Sequence, residues 1–600
     1  MKYTEVIGEI YKHTREKKGC FKETVIKDLI GIKIINRFED EEILPDFLMI
    51  ERLYQRIGES SDIFTIMMTS EEYDYCIWRE NLIEKIISGK ICKSDWESRS
   101  AKDRTINELL QEQFVQFWKG YEDSDAELMK KAIRMTVPEF PDKMSMHQCI
   151  GREEFAYMLY YIERKLQKNP KEWMQEYETV RFILKYINLN YETQERVRIY
   201  ARAACVYGEL IPIDDIDDKI HHYKSALDLQ RKYARVSGID RLLYGLICSY
   251  KQLEQEIPDD YQKMYETIIA VKNEFKITEN YAPEIKMTNE IYLLDEVFKE
   301  YRLERGLTPA QAAEGVCDIK TYRALENGKR KPKRGTYQAI TEALGIPLVK
   351  YNADIITNEY EHIQMLEEIK LISRKSVKGR EQKLIDILEQ KLGVWMKYPE
   401  NRQMIDSRRD FQKFCDGNIE IDDYLDKLKN VLDMTINNWH KDMEHHFYTR
   451  RELVIFYYVI VAYREKGRSD IAIKLMDKLL EYLNSSKVNC ESRMEEIAVL
   501  YIERKNLLTD MEMYDEAIKN VYEYMKICFK LDRGDKIVPL LIEPGWICNE
   551  GYYQDTMEMV DKEHSEKYFQ HALCISEMYY QDAYQKSIKE YMKSIKISQP

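Results

Sequence analysis

Five cations fall within six residues near the middle of the chain, in the run Lys329-Arg330-Lys331-Pro332-Lys333-Arg334. The whole protein of 600 residues carries a formal net charge of −14. A dense positive run on an acidic protein indicates contact with an anion, and the phosphates of nucleic acid are one such anion. The alternative is a solvated basic loop, and the residues around the run bear on the choice.

The residues from Tyr301 to Gly345 carry turn and capping signals that predict several short helices. Thr308 followed by Pro309 is typical of a helix N-terminus, because threonine caps the free N–H groups and proline needs none. Asp318 predicts the start of the next helix in the same way. Glycines that can end helices follow in order at Gly306, Gly328 and Gly345.

This order of helices resembles the helix-turn-helix of the Cro/XRE repressor family. The spacing from Leu307 to Gly328 is similar to that of the Rgg/PlcR-like (RRNPP) members, bacterial regulators that read peptide pheromones. The matching residues are Leu307-Thr308, Ala313-Glu314-Gly315-Val316 and Leu325-Glu326-Asn327-Gly328. Pro309 departs from the family, which usually has a glutamine there to brace a phosphate. The resemblance implies a transcriptional regulator with a short signalling peptide in its helical-repeat groove and dimers formed by those repeats.

In such a motif the recognition helix lies in the major groove, and the loop after it follows the DNA backbone. Lys320 is expected to donate to guanine and Ile319 to touch a thymine methyl group. Arg323 could serve either a base or a phosphate, and the basic loop would hold phosphates. The predicted DNA-binding residues are Thr308, Gln311, Ile319, Lys320, Thr321, Arg323, Asn327, Lys329, Arg330, Lys331, Lys333 and Arg334.

The N-terminus repeats this pattern without a gap at an offset of 287 residues. The residues of the first copy that are identical to those of the second are Glu9, Lys12, Arg15, Gly19, Lys33, Glu39, Pro45 and Gly58. Where the second copy has Asn327 to Lys331, the first has Asp40-Glu41-Glu42-Ile43-Leu44. Because acids would repel phosphates, the first copy is not expected to bind DNA in the usual way. It is a structural relic, or an acidic partner that masks the basic loop.

Paired amphipathic helices follow each motif. Several segments are similar to the second helix of a tetratricopeptide (TPR) unit, namely Asp470 to Ile473, Tyr514 to Ile518 and Tyr584 to Ile588, and the small residue in each is expected at a close helix approach. We therefore predict an all-α fold of helix-turn-helix domains and TPR-like solenoid repeats in two tandem copies. The predicted domains are 1–65 (degenerate helix-turn-helix), 66–288 (repeats), 289–350 (DNA-binding helix-turn-helix) and 351–600 (repeats).

Stacked helix pairs expose a concave face that commonly binds an extended peptide. Candidate groove residues are Tyr157, Tyr160, Tyr161, Tyr457 and Tyr458. The competing interpretation, which is favoured, is that these tyrosines pack between helices. The net negative charge outside the motif mildly favours a cationic or neutral ligand.

Other classes of protein find little support in the sequence. No signal peptide is visible, and the longest apolar run, residues 453–463, is too short to span a membrane, which predicts a buried helix in a cytoplasmic protein. The 12 scattered cysteines lack any C-x-x-C pair, so no metal site or cofactor is expected. No catalytic motif is present, so an enzyme is not favoured.

Two functions stay open. The first is a cytoplasmic transcriptional regulator that binds double-stranded DNA through the central motif. A peptide or protein bound in the solenoid would control it, and two chains, as a homodimer, would be needed to recognise a palindromic DNA site. The second is an interaction scaffold whose helix-turn-helix domains contact only proteins.

Overall fold

The chain folds almost wholly into helices in the computed structural model of the protein. The structure describes residues 7–62, 64–97, 106–210, 216–278, 282–332, 334–346, 354–357, 359–375, 380–436, 448–485, 487–488, 494–550 and 562–595. Two strands of three residues each are the only strands in these ranges. The all-α prediction is confirmed.

The chain divides into two compact units. The first unit comprises residues 1–227, 248–255 and 279–353, and the second comprises residues 228–247, 256–278 and 354–600. The first unit therefore contains both helix-turn-helix segments as well as most of the helices between them. The division into four domains stays a prediction.

Helices and two short strands follow one another in chain order up to residue 346. They are α1 Ile7–Lys17, α2 Lys22–Val25, α3 Ile32–Glu39, α4 Phe47–Arg56, β1 Ile66–Met68, α5 Ser70–Ile87, α6 Lys93–Glu97, α7 Glu108–Asp123, α8 Ala126–Arg134, α9 Arg152–Lys168, α10 Trp173–Asn190, α11 Thr193–Leu210, α12 Ile216–Lys232, α13 Ile239–Gln252, α14 Asp259–Glu274, β2 Ile291–Leu293, α15 Leu294–Glu304, α16 Pro309–Ala313, α17 Ile319–Glu326 and α18 Arg334–Leu344. A 3₁₀ turn, Pro170–Glu172, precedes α10.

The remaining helices belong to the second unit. They are α19 Tyr360–Lys375, α20 Arg380–Leu392, α21 Pro399–Cys415, α22 Ile421–Asp433, α23 Arg450–Glu465, α24 Ser469–Ser485, α25 Met494–Asp510, α26 Tyr514–Lys530, α27 Ile537–Glu550, α28 Lys562–Met578 and α29 Asp582–Ser594, with 3₁₀ turns at Gly393–Lys397 and Gly534–Lys536. Successive helices pack against each other, as α23 packs on α24 and α25 on α26. This packing of consecutive helices agrees with the predicted helical repeats.

The small residues in two of the three TPR-like segments are buried. Ala472 in α24 and Ala517 in α26 are fully buried. Ser587 in α29 is exposed, and its hydroxyl donates instead to the Ala583 carbonyl one turn earlier. The prediction for Ser587 is wrong because the neighbouring Ile588, not the serine, faces the interior.

The longest apolar run forms the buried helix α23, as predicted. A capping box starts the helix, in which the Thr449 N–H donates to Glu452 at 2.7 Å. Phe456, Val459 and Ile460 are fully buried. Among the described residues, none of the helices has the length and apolar character needed to cross a membrane.

A short parallel ladder joins the two motif copies within the first unit. β1, which follows the first motif, pairs with β2, which precedes the second, and Ile66 lies opposite Ile291. The Asn289 side chain donates to the Ser61 and Phe64 carbonyls at 2.6 and 3.1 Å. Both strands are completely buried, so this junction is part of the core.

Candidate nucleic-acid interface

The central motif is a four-helix domain built on small and aromatic residues. α16 packs on α17, and Ala312 and Ala313 in α16 as well as Tyr322 and Leu325 in α17 are buried. Alanine has almost no side chain, so α16 and α17 approach closely. This packing positions the outer face of α17.

Capping residues fix the starts of α16 and α17. Thr308 and Gln311 form a capping box, in which the Thr308 N–H donates to Gln311 Oε1 at 2.8 Å. Asp318 accepts from the Thr321 N–H at 2.8 Å and from the Thr321 hydroxyl at 2.6 Å. The hydroxyl bond holds the pKa of Asp318 below its ordinary value, so the cap stays ionised. The caps therefore engage three predicted DNA-binding side chains, those of Thr308, Gln311 and Thr321.

An ion pair between the first and third helices holds the recognition helix in place. Arg302 in α15 donates to Glu326 at the end of α17 at 2.5 Å and to the Leu307 carbonyl at 2.7 Å. Both side chains are largely buried. Because one guanidinium bridges α15, α17 and the turn between α15 and α16, the orientation of α17 depends on Arg302.

Most of the predicted DNA-binding residues share one exposed surface, which we call the basic face. Its exposed members are Thr308, Gln311, Ile319, Lys320, Arg323, Asn327, Lys329 and Arg330. Ile319 is 39% exposed, so its side chain is accessible for contact with a thymine methyl group. Thr321 and Lys331 are partly buried. Lys333 lies outside the described residues, and of Arg334 only the backbone is described, as the first residue of α18.

Lys331 does not extend freely from the basic face. Its ammonium group lies 3.3 Å from Glu72 Oε2 and donates to the Pro45 carbonyl at 3.2 Å. Glu72 is completely buried and also accepts from the Phe47 N–H at 2.6 Å. Lys331 therefore ties the loop after α17 to the first motif copy and to α5.

The glycine before this loop is required by a close approach. Gly328 has φ = 69°, a conformation that other residues seldom adopt. A Cβ atom there would lie 2.9 Å from Ser70 Cβ and 3.1 Å from Asp295 Oδ2. Asp295 itself accepts from the Ser70 N–H at 2.9 Å. The C-terminal end of α17 is thus packed on the start of α5.

An unusual carboxyl group lies beside this contact. Asp46 caps α4 by accepting from the Met49 N–H at 3.1 Å, and it also accepts from the Asn107 N–H at 3.2 Å. Burial, together with the charge of Glu72, raises the pKa of Asp46 to about 7, although Lys331 acts in the opposite direction. The folded protein therefore binds a proton that the unfolded chain releases at lower pH.

We expect Asp46→Asn to flatten the dependence of stability on pH. An unfolded aspartate titrates near pH 4, so the proton on Asp46 stabilises the fold at low pH, and this stabilisation is lost as the pH rises through 7. For the native protein the loss between pH 6 and 8 should be about 1 kcal/mol from this group, a figure reduced for its partial exposure. Urea unfolding at both pH values measures it, and equal slopes in the variant and the native protein would contradict the assignment.

The first motif copy has the same order of helices as the second. The bounds of α1 and α15 differ by 287 residues at both ends, and so do those of α3 and α17. Arg15 donates to Glu39 at 2.7 Å and to the Cys20 carbonyl at 2.9 Å, which are the bonds of Arg302 shifted by the same offset. The predicted internal duplication of the motif therefore extends to its packing.

The two copies differ at left-handed turn positions. Gly315 and Gly328, with φ = 72° and 69°, correspond to Asp28 and Glu41, with φ = 54° and 58°. An acidic side chain in this conformation is strained relative to glycine. The first copy therefore has the same left-handed turns as the second, but with acidic residues in place of the glycines that favour this conformation.

The hypothesis that the acidic loop masks the basic loop is wrong for the described residues. The acids bind inside their own copy: Glu39 pairs with Arg15 and with Lys22 at 2.8 Å, and Glu42 pairs with Arg37 at 3.1 Å. Glu41 accepts from the Glu9 N–H. The carboxylate that holds Lys331 is Glu72, which lies beyond the acidic loop in sequence.

The face of the first copy that corresponds to the basic face carries three exposed apolar side chains. Phe21, at the position of Thr308, is 75% exposed, and Ile32 and Ile34 in α3 are each 41% exposed. Lys33 is the exposed counterpart of Lys320. A surface with this composition suits a protein better than a phosphate backbone.

The candidate groove tyrosines have two different environments. Tyr157, Tyr160 and Tyr161 are at most 3% exposed; Tyr157 stacks on Phe117 with ring centroids 4.3 Å apart. A ligand on the surface does not reach them in this conformation. Tyr457 and Tyr458 line a cavity of about 170 Å³ in the second unit.

Sequence reasoning did not identify the carboxylate that binds Lys331 or most of the charged residues that line the cavity. Glu72 lies 259 residues from Lys331, and its one signal was the recurrence of Glu72-Tyr73 as Glu359-Tyr360. The cavity is lined by charged residues from Asp354 to Lys536. Of these only Arg451 had a signal, since Arg152-Glu153 recurs as Arg451-Glu452.

Comparisons with known proteins place the motif in a family. Residues 298–351 match the family model described as helix-turn-helix, which confirms the resemblance of this segment. No curated protein sequence matches the chain.

Solved structures similar to the chain cover about half of it. Bacillus thuringiensis PlcR, in complex with the peptide PapR7 and DNA, is 18% identical with a TM-score of 0.33, covering 49% of this chain and 98% of PlcR. ComR from S. thermophilus, in complex with DNA and its signalling peptide ComS, is 12% identical with a TM-score of 0.32, covering 51% and 100%. Apo ComR from Streptococcus vestibularis is 10% identical with a TM-score of 0.30, covering 51% and 98%.

Proposed function

We propose that the protein is a cytoplasmic, ligand-responsive transcriptional regulator that binds double-stranded DNA through its central helix-turn-helix. The observation that carries the proposal is the basic face: Lys320, Arg323, Lys329 and Arg330 are exposed together on a domain that matches the helix-turn-helix family. Lysine and arginine in this arrangement read guanine and neutralise phosphates. Since one chain carries one basic face, a palindromic site would be bound by two chains.

Ligand control would act through the second unit. The support for it is the cavity lined by Tyr457 and Tyr458, which is open to a small group or to the end of a peptide. A ligand that prefers one packing of the surrounding helices would shift the population of conformations, and so the availability of the basic face.

A selection of random duplexes by the full-length protein, at about 0.05 and 0.2 M salt, tests DNA reading. We expect one motif that survives the higher salt, because base contacts depend less on salt than phosphate contacts do. Lys320→Ala should relax the preference at one base pair, by about 1–3 kcal/mol for a bidentate contact with guanine. The matched control Lys33→Ala, at the equivalent exposed position of the first copy, should recover the native motif. Binding that lacks any motif at both salts, or an unchanged motif with Lys320→Ala, would contradict the proposal.

A second candidate is a scaffold whose helix-turn-helix domains bind proteins only. The exposed Phe21, Ile32 and Ile34 on the first copy favour it for that copy. Under this function the duplex selection recovers no motif, and the isolation of protein partners depends on Phe21.

A further inference from the structure

Two cysteines that lie far apart in sequence meet inside the first unit. Cys20 follows α1 of the first motif copy, and Cys149 lies just before α9. Both are free thiols of intermediate exposure, and their side chains form a hydrogen bond with each other. We propose that Cys20 and Cys149 are a dithiol that peroxide oxidises to an intrachain disulfide, which ties the first motif copy to α9.

The backbone of Cys20 is held on both sides by one arginine. The Cys20 N–H donates to the Arg15 carbonyl at 3.0 Å, and the Arg15 guanidinium donates to the Cys20 carbonyl at 2.9 Å. Arg15 is itself paired with the buried Glu39 at 2.7 Å. The position of Cys20 is therefore set by α1 and α3 rather than by a free loop.

The backbone around Cys149 is anchored by two buried tyrosines. The Tyr186 hydroxyl donates to the Gln148 carbonyl at 2.7 Å and accepts from the Ile150 N–H at 3.1 Å. The Tyr191 hydroxyl donates to the Ile150 carbonyl at 2.8 Å. Since the residues before and after Cys149 are both bonded to α10 and its end, the thiol is presented from a fixed backbone.

A buried arginine joins the two sides of this dithiol. Arg56 in α4 donates to the Val25 carbonyl at the end of α2 at 2.8 Å, and to Glu154 in α9 at 2.7 Å. α2 comes directly after Cys20 in sequence, and α9 comes directly after Cys149. A disulfide bond is about 2.05 Å long, so two thiols that are already in contact have a short distance left to close.

The hydrogen bond between the thiols gives them different roles. The Cys149 thiol donates to Cys20 and so lowers the pKa of Cys20 below its usual range, as Lys18 and Arg15 also do, while burial opposes them. The same bond, together with burial, raises the pKa of Cys149. Because the thiolate is the nucleophile, Cys20 is expected to attack the peroxide, and Cys149 to react with the product.

The oxidation proceeds in two balanced steps. The Cys20 thiolate attacks one oxygen of hydrogen peroxide, the O–O bond breaks, and a sulfenic acid forms with a hydroxide ion that takes up the proton Cys20 had lost. The Cys149 sulfur then attacks the Cys20 sulfur, the S–S bond forms as the S–O bond breaks, and the hydroxide leaves with the Cys149 proton as water. The two thiols thus supply the two electrons that reduce the peroxide to water, and a small dithiol reverses the oxidation.

The second motif copy lacks this chemistry. Leu307 occupies the position of Cys20. The Leu307 carbonyl accepts from Arg302 at 2.7 Å, just as the Cys20 carbonyl accepts from Arg15. The backbone contact is therefore common to both copies, whereas the thiol is confined to the first. The dithiol goes beyond the proposed function and is tested without DNA.

The test is to treat the reduced full-length protein with hydrogen peroxide, alkylate the remaining thiols, digest with trypsin without reductant and analyse the peptides by mass spectrometry. We expect the peptide Gly19–Lys22 joined to Met144–Arg152, in protein that runs as a single chain on a non-reducing gel, and its loss after dithiothreitol. Absence of the joined peptide at a peroxide concentration that oxidises the exposed Cys92 would overturn the proposal. So would a joined peptide found only in protein that runs as a dimer.

Dimedone, which traps sulfenic acids, tests the two roles. Cys149→Ser should increase the dimedone label on Cys20 by about fivefold or more, because the thiol that consumes the sulfenic acid is missing. Cys20→Ser should leave Cys149 almost unlabelled. The matched control Cys92→Ser, which removes an exposed thiol, should give the joined peptide in native yield. Equal labelling of Cys20 in the native protein and in Cys149→Ser would contradict the reaction between the two residues.

The tie to α9 has its own measurement. Oxidation should raise the thermal unfolding midpoint of the native protein by about 3 °C or more, because a cross-link restricts the unfolded chain. The same treatment should not raise the midpoint of Cys149→Ser. An unchanged midpoint in the oxidised native protein would refute the tie. Because the joined peptide is sought in the native sequence, that result does not depend on the folding of any variant.

Discussion

Reversing the charge of Lys329 and Arg330 to glutamate is expected to weaken binding to every DNA duplex by about 100-fold at about 0.15 M salt. Both side chains are exposed on the loop after the recognition helix. Losing two phosphate contacts removes about 1.8 units of salt slope, or roughly 30-fold at this salt, and repulsion by the new acids adds to it. Because phosphates are alike in all sequences, the preferred motif should not change.

The measurement is a titration of labelled duplex with full-length protein at several salt concentrations. The matched control replaces Lys519 and Lys526 by glutamate. Both are exposed lysines of α26 in the second unit, so the net charge changes by the same amount. It should leave affinity within about threefold. Equal weakening by both pairs would mean that only net charge matters, and no weakening by the first pair would remove the loop from the interface.

Lys331 is a poorer choice for this experiment than its neighbours. Its substitution would leave Glu72, which is fully buried, without this cation, so that any loss of DNA binding would be mixed with a loss of stability.

The second large effect is expected from Arg152→Met, which should lower the free energy of unfolding by about 3–5 kcal/mol. Arg152 is completely buried between Glu51 and Glu195, and its Nε donates to the Glu284 carbonyl at 2.8 Å. Burial raises the pKa of Glu195 to about 7 even beside the arginine. Without the guanidinium, two buried carboxylates would face each other with no cation between them.

Chemical denaturation followed by circular dichroism measures this effect. Arg181→Met serves as the control, since Arg181 is half exposed and lies 3.9 Å from Glu178, and it should cost less than about 1 kcal/mol. Adding Glu195→Gln to the Arg152 variant should recover part of the loss, because it removes one of the unpaired charges. If Arg152→Met lowers the free energy of unfolding by less than about 1 kcal/mol, or if the double variant regains none of it, the ion pairs of Arg152 do not stabilise the fold as expected.

Local signals explain what the sequence could predict. Helix ends are determined by the local backbone and capping preferences of Thr308, Pro309, Asp318 and Gly328. These preferences do not depend on the rest of the chain. The repeated Arg15 and Glu39, matched by Arg302 and Glu326, predicted a duplication for the same reason: identical local patterns fold alike.

Contacts between distant segments could not be predicted in this way. Nothing near Glu72 in sequence shows that its carboxylate meets Lys331, because that pairing depends on how β1 and β2 bring the copies together. The acidic loop looked like the natural partner of the basic loop because opposite charge was the only criterion. The cavity is a similar case, since its cations come from α19, α21, α23 and the segment before α27, and only packing collects them.

The pairing of β1 with β2 also determines how the association of the two motif copies depends on protein concentration. Two separate subunits meet at a rate set by their abundance, and they part when diluted. Segments of one polypeptide face an effective concentration fixed by the connecting chain, about millimolar for a short flexible linker. The association of the two motif copies is therefore the same in a dilute assay as in a crowded cell, and only contacts with another chain can respond to how much protein is present.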